Sequence, residues 1–238
     1  MRGAILMSAL VLGACSMGEA SESKRQMVSR DFQVGAFDKV ALAGSPNVIV
    51  KVGGAPSVRA EGDAEMIEKL EVAVVNGTLR IGHKKGKWSF GWGKNRGPVT
   101  IHVSAPSLTG AEVAGSGHIR IDKVEGGDFA GDIAGSGEIA LGSLRARNAS
   151  FAIAGSGSVT AAGTAESADF SIAGSGDVHA GKLEVKRAKV SIAGSGSVET
   201  RATETADISI MGSGDAVIAG TAKCNVSKMG SGDARCGG

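Results

Sequence analysis

The tripeptide Gly-Ser-Gly occurs seven times in the second half of the chain, beginning at Gly115, Gly135, Gly155, Gly174, Gly194, Gly212 and Gly230. The spacings are 20, 20, 19, 20, 18 and 18 residues, and self-similarity at such a period marks an array of stacked units. Two residues before the first glycine stand Val113, Ile133, Ile153, Ile172, Ile192 and Ile210; four residues after it stand Ile119, Ile139, Val159, Val178 and Val198. The approach to the glycines alternates, as in Ala149-x-Phe151-x-Ile153, Ala168-x-Phe170-x-Ile172, Ala188-x-Val190-x-Ile192 and Ala206-x-Ile208-x-Ile210. A period of two predicts strands with one inward and one outward face, and no helix accommodates it.

One such unit cannot bury its apolar side alone. Coils stacked at ~4.8 Å turn the columns into a continuous core, and seven would extend ~30 Å. The glycines fit turns that need positive φ or leave no room for a Cβ, with serine between them able to hydrogen-bond along the stack. Composition agrees: 42% hydrophobic and 21% charged residues argue against disorder, and only 4 prolines beside 38 glycines exclude collagen. Tyrosine is absent, so the core is built from Ala, Val, Ile and Leu. At the C-terminal end the pattern decays. Met229 follows Met211 in the alanine column, Lys228 replaces the isoleucine, and Ala216 and Ala234 take the valine column, where a solenoid needs a polar cap.

Before the array, alternating runs at Phe37 to Leu42, Asn47 to Val52, Ser57 to Ala60, Leu70 to Val75, Thr78 to Ile81 and Val99 to Val103 predict further strands. Asn76-Gly77 is a two-residue hairpin signal, and Ala64 to Lys69 fits one helical turn. Ala43-Gly44-Ser45-Pro46 echoes the later turn. Residues 31–110 therefore read as a β-rich beginning of the solenoid that continues through 111–238.

The first 14 residues read as a signal peptide: Met1 and Arg2, then an apolar stretch from Ala4 to Leu12 too short to span a bilayer. Leu12-Gly13-Ala14-Cys15 resembles the bacterial lipobox, which implies lipidation of Cys15; an ordinary secretory peptide with an incidental cysteine is the alternative. Several acyl chains anchor firmly where one does not. Ser16 in place of aspartate favours the outer membrane by resemblance to the sorting rule of diderm bacteria. Residues 15–30 are polar and aperiodic, a tether between lipid and fold. Assigning Cys15 to lipid leaves Cys224 and Cys236, six residues before and after Gly230, as a candidate disulfide on inward-facing positions, with two buried free thiols as the alternative.

The run FDKVALAG, NVIVKVGG, VNGTLRIG and VTIHVSAPSL leading into VAGSG and the Gly-Ser-Gly array resembles the head GIN domain family of bacterial adhesins, over about residues 32 to 236. The literal Gly-Ile-Asn tripeptide is absent. The resemblance implies an all-β, right-handed parallel β-helix in an extracytoplasmic setting, and it carries no catalytic residues, since that family has no established biochemical activity.

Candidate chemistry is sparse. Between His83 and Gly97 lie both tryptophans, Trp88 and Trp92, with Phe90 and five basic residues, Lys84, Lys85, Lys87, Lys94 and Arg96, and no acid. Interleaved aromatics and cations suit sugar rings, anionic groups or lipid headgroups; the bland alternative tucks the rings under the solenoid edge with the charges in water. The column His118, Glu138, Ser158, Asp177, Ser197, Asp215 and Asp233 lacks the nine-residue period of calcium-binding repeats and reads as solvated turn residues. No metal-ligand spacing of histidines and no nucleophile elbow occurs, and no cofactor is implied. The net charge, 26 minus 24 or +2, gives no reason to expect nucleic acid. The sequence thus points to a non-enzymatic envelope lipoprotein, held to a membrane by its N-terminal lipid, with envelope polysaccharide or protein as partner. A β-helix enzyme degrading polysaccharide is the alternative from another class.

Overall fold

The structure, a computed structural model, describes residues 26–84 and 99–237. Its chain is almost entirely strand. In the N-terminal part these are β1 (Met27–Phe32), β2 (Lys39–Gly44), β3 (Asn47–Val52), β4 (Ser57–Asp63), the short helix α1 (Ala64–Glu68), β5 (Leu70–Val75), β6 (Thr78–His83) and β7 (Thr100–Ala105). The repeat region holds β8 (Gly110–Gly115), β9 (His118–Ile121), β10 (Val124–Glu125), β11 (Asp128–Gly135), β12 (Glu138–Gly155), β13 (Ser158–Gly174), β14 (Asp177–Gly194), β15 (Ser197–Gly212), β16 (Asp215–Ala219), β17 (Lys223–Gly230) and β18 (Ala234–Cys236).

Repeats stack in register as a parallel β-solenoid. Gly44, Gly115, Gly135, Gly155, Gly174, Gly194, Gly212 and Gly230 stand opposite one another in turn. The rod has about six turns rather than seven. The ladder continues through each turn: Ser175 N donates to Gly155 O at 2.8 Å and Ser195 N to Gly174 O at 2.9 Å. A Cβ on Gly174, whose φ is +131°, would run into the Gly155 carbonyl, so the close approach of successive backbones fixes the glycine there.

Coil length varies without disturbing the turns. Where 20 residues become 19, the register between β12 and β13 shifts between Leu141 and Leu144; where 20 become 18, β14 and β15 shift at Ala180/Glu184 and Val185/Arg187. The insertions and deletions are taken up at other corners as bulges.

Inward columns make the core. Ile81, Leu42, Val113, Ile133, Ile153, Ile172, Ile192 and Ile210 form one, which ends on Lys228. Beside it Phe151, Phe170, Val190 and Ile208 lead to Val226. All but the two end residues are buried, and the side chains are Ala, Val, Ile, Leu and Phe because each must meet its own kind one coil away.

The N-terminal part caps the stack by a non-sequential route. β2 and β3 pair parallel with β8 and β9 on one side, and with β6 and β7 on the other. The chain therefore lays down the second layer before the first. Beyond that layer pairing turns antiparallel, β5 on β6, β4 on β7 and β1 on β4. α1 starts at an Asp63 cap, whose Oδ1 accepts from Glu65 N at 3.0 Å, and sets Met66 and Ile67 into the core. Asn76 and Gly77, with φ of 51° and 75°, form the hairpin between β5 and β6. One reading needs correction: residues 27–30, assigned to the tether, belong to β1, whose half-buried Val28 and Phe32 pack against the core.

Candidate functional site

Outward columns run beside the Gly-Ser-Gly ridge on two faces. On the approach side Ala43, Ala114, Ala134, Ala154, Ala173 and Ala193 lie in register, until Met211 and Met229 replace alanine at the far end. The adjacent column runs from Arg80 and Ala41 through Glu112 and Asp132 to Ala152, Ser171, Ser191, Ser209 and Ser227. These two columns hold only small side chains over the middle coils and form a flat strip beside the ridge, bordered by the next outward column, where Lys189 Nζ pairs with Asp169 Oδ2 at 3.7 Å.

Glu112 and Asp132 are directly opposed on neighbouring coils. Partial burial, chiefly, and the Glu112 charge raise the Asp132 carboxyl above its ordinary value of 3.8, while Lys39 acts the other way. The pair puts two like charges side by side within this column.

Across the ridge, the polar column is engaged along the rod. His118 Nδ1 lies 3.2 Å from Glu138 Oε2; Asp177 Oδ1 accepts from Ser197 N at 3.1 Å and from Ser197 Oγ at 2.6 Å; Asp215 Oδ1 accepts from Asp233 N at 2.9 Å. Each side chain reaches to the next coil and holds it. Among the described residues no group of three or more His, Cys, Asp or Glu is arranged to hold a metal ion.

A shallow cleft of about 340 Å³ opens near the N-terminal cap between Asp31, Ile49, Lys51, Arg59 and His102. Arg59 is shared within it: Nη2 donates to Ser29 Oγ at 3.0 Å, and Nε lies 3.8 Å from Asp31 Oδ1 and 3.6 Å from Glu61 Oε1. His102 Nε2 stands 3.9 Å from Glu61 Oε2. Sequence reasoning passed over this cleft, since its members come from four separate strands, β1, β3, β4 and β7, and carry no motif.

Of the aromatic and basic segment, Lys85, Lys87, Trp88, Phe90, Trp92, Lys94 and Arg96 lie outside the described residues, as does Cys15. Lys84 is described. Its backbone N donates to Lys69 O at 3.0 Å and its Nζ to Glu68 O at 2.8 Å, which ties it to the end of α1. The segment leaves β6 and returns to β7 where other coils make the Gly-Ser-Gly turn, because β6 and β7 pair with β2 and β3 around Gly44. Cys224 and Cys236 form a disulfide with Cα atoms 6.5 Å apart.

Residues 36–222 match the family model described as "Putative auto-transporter adhesin, head GIN domain". The chain belongs to the head GIN domain family. No curated protein matches it. Among solved structures it is similar to a "putative adhesin" from Bacteroides fragilis NCTC 9343, with TM-score 0.81 and 24% identity over 89% of this chain and 97% of that one. It is also similar to a "putative lipid binding protein" from Parabacteroides distasonis ATCC 8503, with TM-score 0.70 and 25% identity over 88% and 96% of the two chains. A "putative adhesin" from the same organism has TM-score 0.72 and 20% identity over 90% and 98%. These likenesses show that the fold is shared along nearly the whole length of each chain.

Proposed function

We propose that the protein is a non-enzymatic, adhesin-like lipoprotein of the bacterial cell envelope whose solenoid sides serve as a binding surface. The in-register alanine column from Ala114 to Ala193 carries this reading: a flat, repetitive face suits an extended partner such as envelope polysaccharide or another envelope protein. The family description and the adhesin neighbours support the binding class. Cys15 supplies the lipid, residues after it the tether, and the outer membrane the site, facing periplasm or exterior.

The test is retention of the lipid-free full chain, Cys15→Ser, on isolated envelope material. Ala154→Arg with Ala173→Arg places two long cations on the flat face, and loss of retention is expected. Retention equal to the parent, or new reducing ends in envelope polysaccharide incubated with the chain, would contradict the reading.

A second reading assigns binding of anionic glycan or lipid to Trp88, Phe90, Trp92, Lys84, Lys85, Lys87, Lys94 and Arg96. The position of Lys84 and Val99, which bracket the segment in sequence at the turn edge beside Gly44, favours it. The neighbour described as lipid binding supports the same class. Lys84, engaged with Glu68, contributes least. Trp88→Ala with Trp92→Ala is expected to abolish retention on anionic vesicles or glycan under this reading and to leave it unchanged under the first.

A further inference from the structure

The two ends of the rod are finished differently. At the N-terminal end, antiparallel strands and α1 cover the stack. At the other end, among the described residues, no helix or further strand covers β17 and β18. The phenylalanine column ends on Val226, 43% exposed, and Met211 and Met229 stand out at 61% and 71%. Two devices hold this end. Lys228, terminating the isoleucine column, donates through Nζ to Gly232 O at 2.8 Å and pairs with Asp233 Oδ1 at 3.7 Å. The disulfide joins Cys224, at the end of the Ala149–Ala168–Ala188–Ala206 column, to Cys236, which stands opposite Ile218 on another side of the coil.

That second tie secures very little secondary structure. β18 is three residues long and pairs only with β16. Cys224 is half-buried against the core, whereas Cys236 is exposed, so one sulfur is open to attack. Exposed disulfides are the labile and regulatory ones, and thiol exchange follows access.

We infer that the Cys224–Cys236 disulfide is a redox latch on the C-terminal edge: a small thiol reductant opens it and frees β18 while the rest of the rod stays folded. A reductant thiolate attacks Cys236 Sγ. A bond forms between these sulfurs as the protein S–S bond breaks, and Cys224 Sγ leaves with the electron pair and takes a proton from water. A second reductant thiolate attacks the reductant sulfur of the mixed disulfide, Cys236 leaves as thiolate and is protonated, and the reductant is released as its own disulfide. Two electrons thus pass from two reductant thiols to the protein. Opening stays local because each coil is held only by its neighbours. It uncovers Ile218 and the free edge of β16, a template for pairing with another strand.

The test is amide hydrogen exchange on the full chain carrying Cys15→Ser, oxidised and after full reduction with dithiothreitol. In the oxidised form Ala216 N donates to Asp233 O at 2.8 Å and Gly237 N to Ile218 O at 2.9 Å. On reduction these two amides are expected to exchange at least ~10-fold faster, with Ser156 and Ser175 unchanged, the pattern of local rather than global opening. Cys224→Ser with Cys236→Ser should exchange like the reduced chain, and brief exposure to glutathione should place the adduct on Cys236. Unchanged exchange after complete reduction, faster exchange throughout β12–β14, or an adduct on Cys224 would overturn the latch.

Discussion

Phe151 and Phe170, directly opposed on successive coils, stack with ring centroids 5.8 Å apart and planes 13° from parallel. Phe129 meets Phe151 from the neighbouring column at 6.1 Å and 49°, because Gly131 is the residue opposite Phe151 and leaves the space that Phe129 fills. Large and small have exchanged columns between coils. Both rings of the stacked pair are fully buried. Phe170→Ala should therefore cost about 3–5 kcal/mol, the range for a buried phenylalanine whose cavity cannot collapse. Urea unfolding followed by circular dichroism checks this, and a loss below about 1 kcal/mol would place Phe170 at a loose site.

Gly174→Val should be at least as damaging for a different reason. Its Cβ meets the Gly155 carbonyl in a backbone at φ +131°, and the Gly194 turn rests on it in turn. Gly126, with φ +81° but open space around its Cα, is the control: Gly126→Ala carries the strain of a positive φ without any clash. A melting temperature for Gly174→Val equal to that of Gly126→Ala would contradict the close stacking of the turns.

Asp132→Asn should stabilise the protein near neutral pH. Burial first, and then Glu112, raise the Asp132 carboxyl. The fold therefore favours the protonated form, and that stabilisation is fully present below the unfolded carboxyl value and lost as pH rises through the folded value. The variant's advantage in melting temperature should be present at pH 7 and vanish as pH falls below about 3. An advantage that grows in acid would reverse the sign.

Lys228→Ile extends the buried isoleucine column by one residue, yet it removes the inward charge that guards an open strand edge. The variant should lose about 1 kcal/mol in urea unfolding with the Nζ bond to Gly232 O, and should associate more than the parent at high concentration in light scattering. Monomer at all concentrations would show that the edge is protected by other means.

The sequence disclosed the array because every coil repeats the same demand: a glycine where backbones touch at Gly155 and Gly174, and an isoleucine where Ile153 meets Ile172. Bulges at Leu141/Leu144 and Ala180/Glu184 were hidden, since unequal spacings do not say which corner absorbs them. The non-sequential layer at β2 and β3 was hidden too. Val40 and Leu42 alternate alike whether they meet Ala111 and Val113 or Leu79 and Ile81, and they meet both. β1 escaped notice because in Met27–Phe32 only Val28 and Phe32 are even half-buried, and the strand gains its place from β4. Of the candidate site, the turn column was legible as a column, but its role in bonding coil to coil, as between Asp177 and Ser197, depends on distances no spacing supplies.

The register of the stack is tested most directly by spin-label distances on the flat face, with one label at Ala193 and the other at Ala114 or Ala43 in a Cys15→Ser background that keeps the disulfide intact. Ala114 lies four coils from Ala193 and Ala43 five. Electron–electron resonance should give ~19 Å and ~24 Å, one strand spacing apart. Distances that fail to lengthen by one spacing between the two pairs would contradict the in-register solenoid.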